Sequence, residues 1–395
     1  MGSSIVRQGL GAVALVGIAI AAEFGLELLI PDTAFRQLVM LALVNVVVAL
    51  SLNVINGMAG QFSIGHAGFV GIGAYTAAIV SGHIHEKIGE GAEFGFGASF
   101  VVMPPAIAAA ALVAGLFGLV VGLPSLRLKG DYLAIVTLGF AEIFRLVIAT
   151  ASPGTEATGL GGLISRLGGQ QGYGGPTDTG VAQYAGPFWV VGAVLVGVLL
   201  AWRLKFSGWG RALRALREDE IAAAAVGVDP TSYKVTSFVI AAMGGGVAGA
   251  LLACMRDGNP TVQPEQFNFL YSFDAITMVI LGGSGSVSGA VAGGIFVTVT
   301  VKLIEQLQRL EAVELFRAAH PDFDLNALRM VVYAAVLIVL MVMRPAGVFG
   351  ENEIFRAKPR GPAQPPGGDA TQGGWQGQAP PGGGPPADAP AEAAS

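Results

Sequence analysis

Cysteine is nearly absent from this chain of 395 residues: there is one, Cys254. A single thiol excludes a disulfide framework and a cysteine metal site. Histidine is scarce too, with His66, His83, His85 and His320. His83 and His85 are the one pair close enough to share a metal, and a bare two-histidine pair is a weak motif, so no metal and no cofactor are expected. Charge is thin. Asp, Glu, Lys and Arg make up 12% of the chain, where a soluble domain averages about 25%. There is no Ser/His/Asp set, no HExxH and no pair of carboxylates in one segment, so no residue is given a catalytic role and the chain reads as a non-enzyme. Gly282-Gly283-Ser284-Gly285-Ser286 is not followed by the Gly-Lys-Ser/Thr of a phosphate loop. Any nucleotide is therefore handled by another subunit, and nothing points to nucleic acid as a partner.

What the chain has in excess is apolar sequence. Hydrophobic residues make up 53%, and apolar runs of about 18 residues or more recur from end to end. The pattern predicts an all-α polytopic membrane protein set in lipid, with about 8–10 transmembrane or re-entrant helices. The expected spans are Gln8–Ile30, Leu38–Ile55, Phe62–Val80 (partly re-entrant), Ala98–Leu123, Tyr132–Ala151, Pro187–Arg203, Val235–Met255, Phe273–Gly282, Val287–Ile304 and Leu328–Met343. The run after Arg7 has no clean cleavage site and reads as a first span, not a signal peptide. Phe273–Gly282 is too short to cross about 30 Å of hydrocarbon, so it is expected to be a half-helix.

Basic residues set the orientation. With the N-terminus inside, thirteen of the 22 Lys and Arg fall on the inner side, which places both termini in the cytoplasm. Residues 1–350 form the expected membrane domain. Residues 351–395 are rich in Gly, Pro and Ala, have no apolar period, and are expected to be a disordered tail.

The 59 glycines concentrate in the spans, where small residues let helices approach closely. Expected seams are Ala67, Gly71, Ala74 and Ala78 in span three, Gly245 and Gly249 in span seven, and Gly285, Gly289 and Gly293 around span nine. Polar groups inside spans are costly and mark a candidate translocation path. They are Asn45, Asn53, Asn56, Gln61, Ser63, His66, Glu142, Asp274 and Thr277. Glu142 and Arg145 share a helix face and can pair, and His66 can serve as a structural hydrogen-bonder beside glycine turns.

The longest charged block is 205–234. Ser207-Gly208-Trp209-Gly210 signals a turn, and Arg211, Arg214 and Arg217 recur at three-residue spacing. Glu218, Asp219 and Glu220 follow, so Arg214–Glu218 and Arg217–Glu220 can pair on a helix surface. Gly227 is a candidate helix stop and Pro230 blocks continuation. On these grounds the block is either a solvated loop or a helix that a partner protein pushes on.

Five motifs carry a resemblance. Gly208-Trp209-Gly210-Arg211 through Ala223 resembles the cytoplasmic loop of LivM-type permeases, in the LivH/LivM family of branched-chain amino acid ABC transporters. Asn53 through Phe69, continuing to Tyr75, is similar to that family's GLAGQ-S-GH signature. Ile280 to Ser286 is similar to its glycine-serine signature, and Met343-Arg344-Pro345 to Phe349 to its terminal element. Leu126 to Ile143 also matches, and together these cover roughly residues 40–350. The loop departs from the general ABC-importer pattern: Glu220 to Gly227 is one residue longer and no Leu-Pro pair follows. The stretch 152–186 and the tail have no counterpart.

The resemblance implies a permease subunit of an ABC importer in a bacterial inner membrane, moving leucine, isoleucine and valine by alternating access. It implies a second, LivH-like permease, two ABC ATPase subunits and a periplasmic substrate-binding protein. It assigns ATPase coupling to Arg211, Arg214, Arg217, Glu218, Asp219, Glu220 and Gly227. Two alternatives stay open: the same importer type carrying urea, amides or another small polar metabolite, and a proton-driven carrier using Glu142 and Asp274.

Overall fold

The computed structural model describes residues 2–88, 95–125, 131–151, 167–176 and 180–307, with a few single positions up to 353. The described chain is mainly helical. Its only β-type pairings are isolated bridges, Tyr173 with Val262 and Ala185 with Met255. In order the helices are α1 Gly2–Leu29, α2 Thr33–Leu52, α3 His66–Ile88, α4 Phe96–Ser125, α5 Asp131–Ala149, α6 Pro187–Phe206, α7 Gly208–Glu218, α8 Glu220–Ala225, α9 Pro230–Ala253, α10 Phe269–Gly282 and α11 Val287–Leu307. By length and composition α3, α4, α5, α6, α9, α11 and α2 with its extension are apolar enough to cross a membrane. The expected tenth span and the tail lie outside the described residues, apart from single positions.

Helix starts follow local sequence chemistry. Asp32, Ser207, Asp219, Asp229 and Asn268 each cap a helix by accepting a backbone N–H with the side chain. Pro187 and Pro230 sit in the first turns of α6 and α9, where a missing N–H costs nothing. Pro230 therefore starts a helix as well as barring the previous one.

Two expectations about the spans change. The third span is one continuous helix from His66, with no re-entrant part. The irregular segment lies before it: α2 widens into a π-helical turn, Asn53–Met58, and residues 59–65 run without helix. The short span begins four residues earlier than expected, at Phe269, and its 14 residues make about 21 Å of helix. It stays too short to cross about 30 Å of hydrocarbon.

α9 is the central helix, flanked by α2, α3 and α4, and α11 lies between α2 and α10. Small residues permit this. A β-carbon on Gly249 would sit 2.0 Å from the Val70 carbonyl oxygen, and one on Gly293 would collide with the Met278 carbonyl oxygen. Ala67, Ala74 and Ala78 of the expected seam are fully buried. Gly71 is buried with them, against the Phe144 and Phe267 rings. Ion pairs at one end tie α1 and α2 to the segment after α9. Arg256 binds Glu23 at 2.9 Å and Glu27 at 3.2 Å, and Arg36 binds Asp257 at 2.7 Å. Glu23 also accepts the Phe188 N–H at the start of α6.

Candidate functional site

The charged block 205–234 includes α7 and α8, joined at a break in the backbone. Asp219 makes the break: it is extended (φ −152°) and its carboxylate accepts the Ile221 and Ala222 N–H groups. α7 lies against the body through Leu213 and Leu216, both buried. Gly210 passes so close to Leu204 that a β-carbon would collide with its carbonyl. α8 ends in a left-handed Gly227 (φ 89°). The Gly227 N–H donates to the Ala224 oxygen and the Val228 N–H to the Ala223 oxygen, which closes the helix as expected.

Neither expected ion pair forms, because the arginines have nearer backbone partners and Asp219 interrupts the helical register. Arg214 donates to the Gly210 and Lys205 carbonyls. Glu220 pairs with Lys234 at 2.6 Å, at the start of α9. Arg217 leaves the loop altogether and donates to the Gly57 carbonyl at 2.8 Å, its stem packed over Gly60. Arg211, Glu218 and Asp219 stay on the exposed surface. The unforeseen feature is apolar: Ile221 is 83% exposed and Val226 79%, side by side with these charges. Two large bare aliphatics thus stand among the charges of this loop.

The second feature is a cavity of about 700 Å³ between α2, α10, α11 and the segment after α9. Asn45 crosses its floor: the amide nitrogen donates to the Thr298 hydroxyl at 2.8 Å, and the Tyr271 hydroxyl donates to the amide oxygen at 3.3 Å. Asp274 and Lys302 line it with opposite charges, and Leu41, Met278 and Val297 supply apolar wall. It extends to Gln37 near the start of α2 and to Gln306 near the end of α11, so it lies toward the ends of these helices remote from α7. Tyr271, Thr298 and Lys302 were not foreseen. A hydroxyl and a cation near helix ends look like ordinary surface chemistry until the fold turns them inward.

Of the nine candidate path residues, only Asn45 and Asp274 line this cavity. Asn53 is fully buried and binds the turn between α10 and α11: it donates to the Ser286 oxygen at 3.1 Å and accepts the Gly285 N–H at 2.8 Å. Asn56 clasps Ser63 through both backbone groups, closing the irregular segment. His66 lies 2.8 Å from the Ser51 hydroxyl, which itself lies 2.8 Å from the Val48 carbonyl. One hydroxyl proton serves the carbonyl, so the imidazole donates from Nε2. Gln61 is buried with neither amide atom bonded, and Thr277 is buried in the packing of α10. The histidine pair separates: His83 bonds the Ile79 carbonyl of its own helix, and His85 the Tyr184 hydroxyl.

Glu142 pairs with Arg145 at 2.8 Å, away from the cavity, and a third group joins them: Glu265 binds the same guanidinium at 3.0 Å. Glu265 lies 120 residues away in sequence. With two acids on one arginine, Glu142→Gln leaves the cation matched, while Arg145→Gln strands Glu142, one of whose oxygens is already buried without a partner. We expect membrane abundance of Glu142→Gln within about twofold of the parent, a drop of about fivefold or more for Arg145→Gln, and recovery in the double change. Quantitative immunoblotting of membranes reads all three. A larger loss from Glu142→Gln than from Arg145→Gln would show that Glu142 has a role besides the pair.

A further buried pair escaped the sequence. Lys205, at the end of α6, binds Glu353 at 2.5 Å. The same carboxylate accepts the Val287 and Ser288 N–H groups and the Ser288 hydroxyl at the start of α11. Burial alone would raise the Glu353 carboxyl, but these donors outweigh it and hold it below the usual carboxylate range. A carboxyl lowered by folding stabilises fully at neutral pH, and the contribution fades as pH falls through the folded value.

Comparison with known proteins adds the following. A family model described as branched-chain amino acid transport system / permease component matches residues 34–341. The high-affinity branched-chain amino acid transport system permease protein LivM of Escherichia coli is 33% identical over 365 residues, covering 87% of this chain and 76% of that protein. A probable branched-chain amino acid transport permease protein LivM of Methanocaldococcus jannaschii is 27% identical, over 78% of this chain and 91% of its own length. The permease protein LivH of Escherichia coli is 29% identical over a shorter stretch, 42% of this chain and 47% of its own. No solved structure matches the chain.

Proposed function

This chain belongs to the family of permease components of branched-chain amino acid transport systems, and from that premise we propose that it is a membrane-spanning subunit of an ATP-driven importer of leucine, isoleucine and valine. The observation that carries the reading is the α7–α8 loop. It projects charge together with the bare Ile221 and Val226, as a docking surface requires, from a chain that has no phosphate loop of its own. The partners are a second, LivH-like permease, two ATPase subunits on the loop, and a substrate-binding protein on the far side. The α7 side is cytoplasmic, as are both termini, and the setting is a bacterial inner membrane. Residues 1–350 make the permease domain and 351–395 a tail, of which the part from Arg360 onward is not needed for transport.

The cavity suits such a cargo. A zwitterion with an aliphatic side chain needs one group of each charge, a few hydrogen-bonding groups and apolar wall, and Asp274, Lys302, Asn45 and Leu41 supply these kinds of surface. Urea or an amide needs no aliphatic wall. The proton-carrier alternative requires a carboxyl that changes protonation in each cycle. Glu142 is held by Arg145 and lies off the cavity, which leaves Asp274 as its single candidate.

The deciding experiment uses membrane vesicles containing the whole transporter with ATP on the loop side. Labelled leucine should enter after the proton gradient is collapsed with an uncoupler, and unlabelled isoleucine and valine should compete while urea does not. Uptake that stops with the gradient while ATP remains would overturn the importer reading.

A further inference from the structure

The three helices that wall the cavity converge at their other ends on the point where α7 touches the body. α2 runs into the π-helical turn that holds Asn53 and Gly57; α10 ends at Gly282; α11 begins at Val287. There Arg217 of α7 donates to the Gly57 carbonyl, and a β-carbon on Gly285 would approach both that carbonyl (3.2 Å) and the Arg217 guanidinium (3.4 Å). Asn53 clamps the same turn by a two-way amide contact with Gly285 and Ser286. Glu353 ties the start of α11 to Lys205, two residues before the Ser207 cap of α7.

Resting on the importer reading, we propose that this junction of the buried Asn53 and Glu353 with Arg217 is the linkage that converts movement of α7 into movement of the cavity wall. Asn53 and Glu353 are its positioning residues: neither touches the cavity. The geometry favours rigid transmission. Asn45 lies eight residues before Asn53, and Thr298 eleven after Val287, so the junction and the Asn45–Thr298 contact are separated by about 12–16 Å of continuous helix. A packed helix moves as a body, and a shift at the junction is delivered at the cavity. The clamp joins backbone groups in the glycine turn to α2 through two complementary hydrogen bonds to one amide.

The test compares the purified, reconstituted complex of parent and Asn53→Ala chains, measuring ATP hydrolysed and leucine taken up. The parent must first show ATP-dependent leucine uptake; if it shows none, the importer reading fails and this linkage with it. Given a transporting parent, Asn53→Ala should assemble with its ATPases but hydrolyse at least tenfold more ATP per leucine. A ratio within twofold of the parent overturns the linkage and leaves the importer reading standing. A purely structural role would lower abundance and leave the ratio alone. If Asn53→Ala does not assemble, amide exchange on the parent complex decides. A nonhydrolysable ATP analogue should change protection of the Gly285, Val287 and Ser288 amides together with α7. Change confined to α7 would overturn the proposal.

Discussion

Replacing Gly249 by leucine should leave almost no folded permease in the membrane. The site has no room: even a β-carbon would lie 2.0 Å from the Val70 oxygen and 2.7 Å from the Ala74 nitrogen. Both are backbone atoms of α3, so no side chain can rotate aside, and α3 and α9 must separate. Separation propagates, because α9 also touches α4 through Gly246, where a β-carbon would sit 2.5 Å from the Ala110 oxygen. Overpacking against movable side chains already costs about 1–3 kcal/mol. Forcing backbones apart costs more, against a total stability of about 5–15 kcal/mol. Gly192→Leu on α6 is the control, because nothing lies within 4 Å of its missing β-carbon. Abundance after detergent extraction and size-exclusion chromatography should fall at least tenfold for Gly249→Leu and less than twofold for Gly192→Leu. Equal behaviour of the two would mean that the α3–α9 contact is looser than the structure has it.

The second large effect separates docking from folding. The paired change Ile221→Asp with Val226→Asp should leave the membrane domain intact and abolish uptake. Both side chains are mostly exposed, so the fold gains nothing from them that a carboxylate would destroy. If an ATPase covers them, each contributes about 1.5–3 kcal/mol of apolar burial. Losing both weakens the contact by about 3–6 kcal/mol, a factor of roughly a hundred to ten thousand in affinity. The added carboxylates would further oppose an acidic partner surface or desolvate at an apolar one. Leucine uptake should fall to background, and the ATPase should no longer co-purify, while the permease keeps its abundance. Co-purification and uptake at parental levels would show that the ATPase does not bind through α8.

Much of this molecule is local and so could be read along the chain. A span is announced by the run of apolar residues it needs, because lipid offers no hydrogen bonds and demands them all from within the helix. The caps at Ser207 and Asp229 and the left-handed stop at Gly227 depend on neighbours two to five residues away. The Glu142–Arg145 pair is one helical turn long and was expected on that ground. The matching motifs are contiguous stretches, and family membership follows from them.

Tertiary structure decided which of several similar polar residues does which job. Asn45 and Asn53 lie on one helix and its extension, eight residues apart, with the same side chain. One crosses the cavity to Thr298, 253 residues on, and the other clamps the turn at Gly285, 232 residues on. Nothing in their spacing separates them, because the difference is the identity of the distant backbone or hydroxyl that packing brings alongside. Arg217 likewise offered a partner three residues away and took a carbonyl 160 residues away, because Asp219 breaks the helix that would have aligned it with Glu220. Glu265 on Arg145 and Glu353 on Lys205 are contacts of the same kind: a charge is visible in a sequence, but its partner is set by how helices pack, through shape and burial summed over the whole bundle.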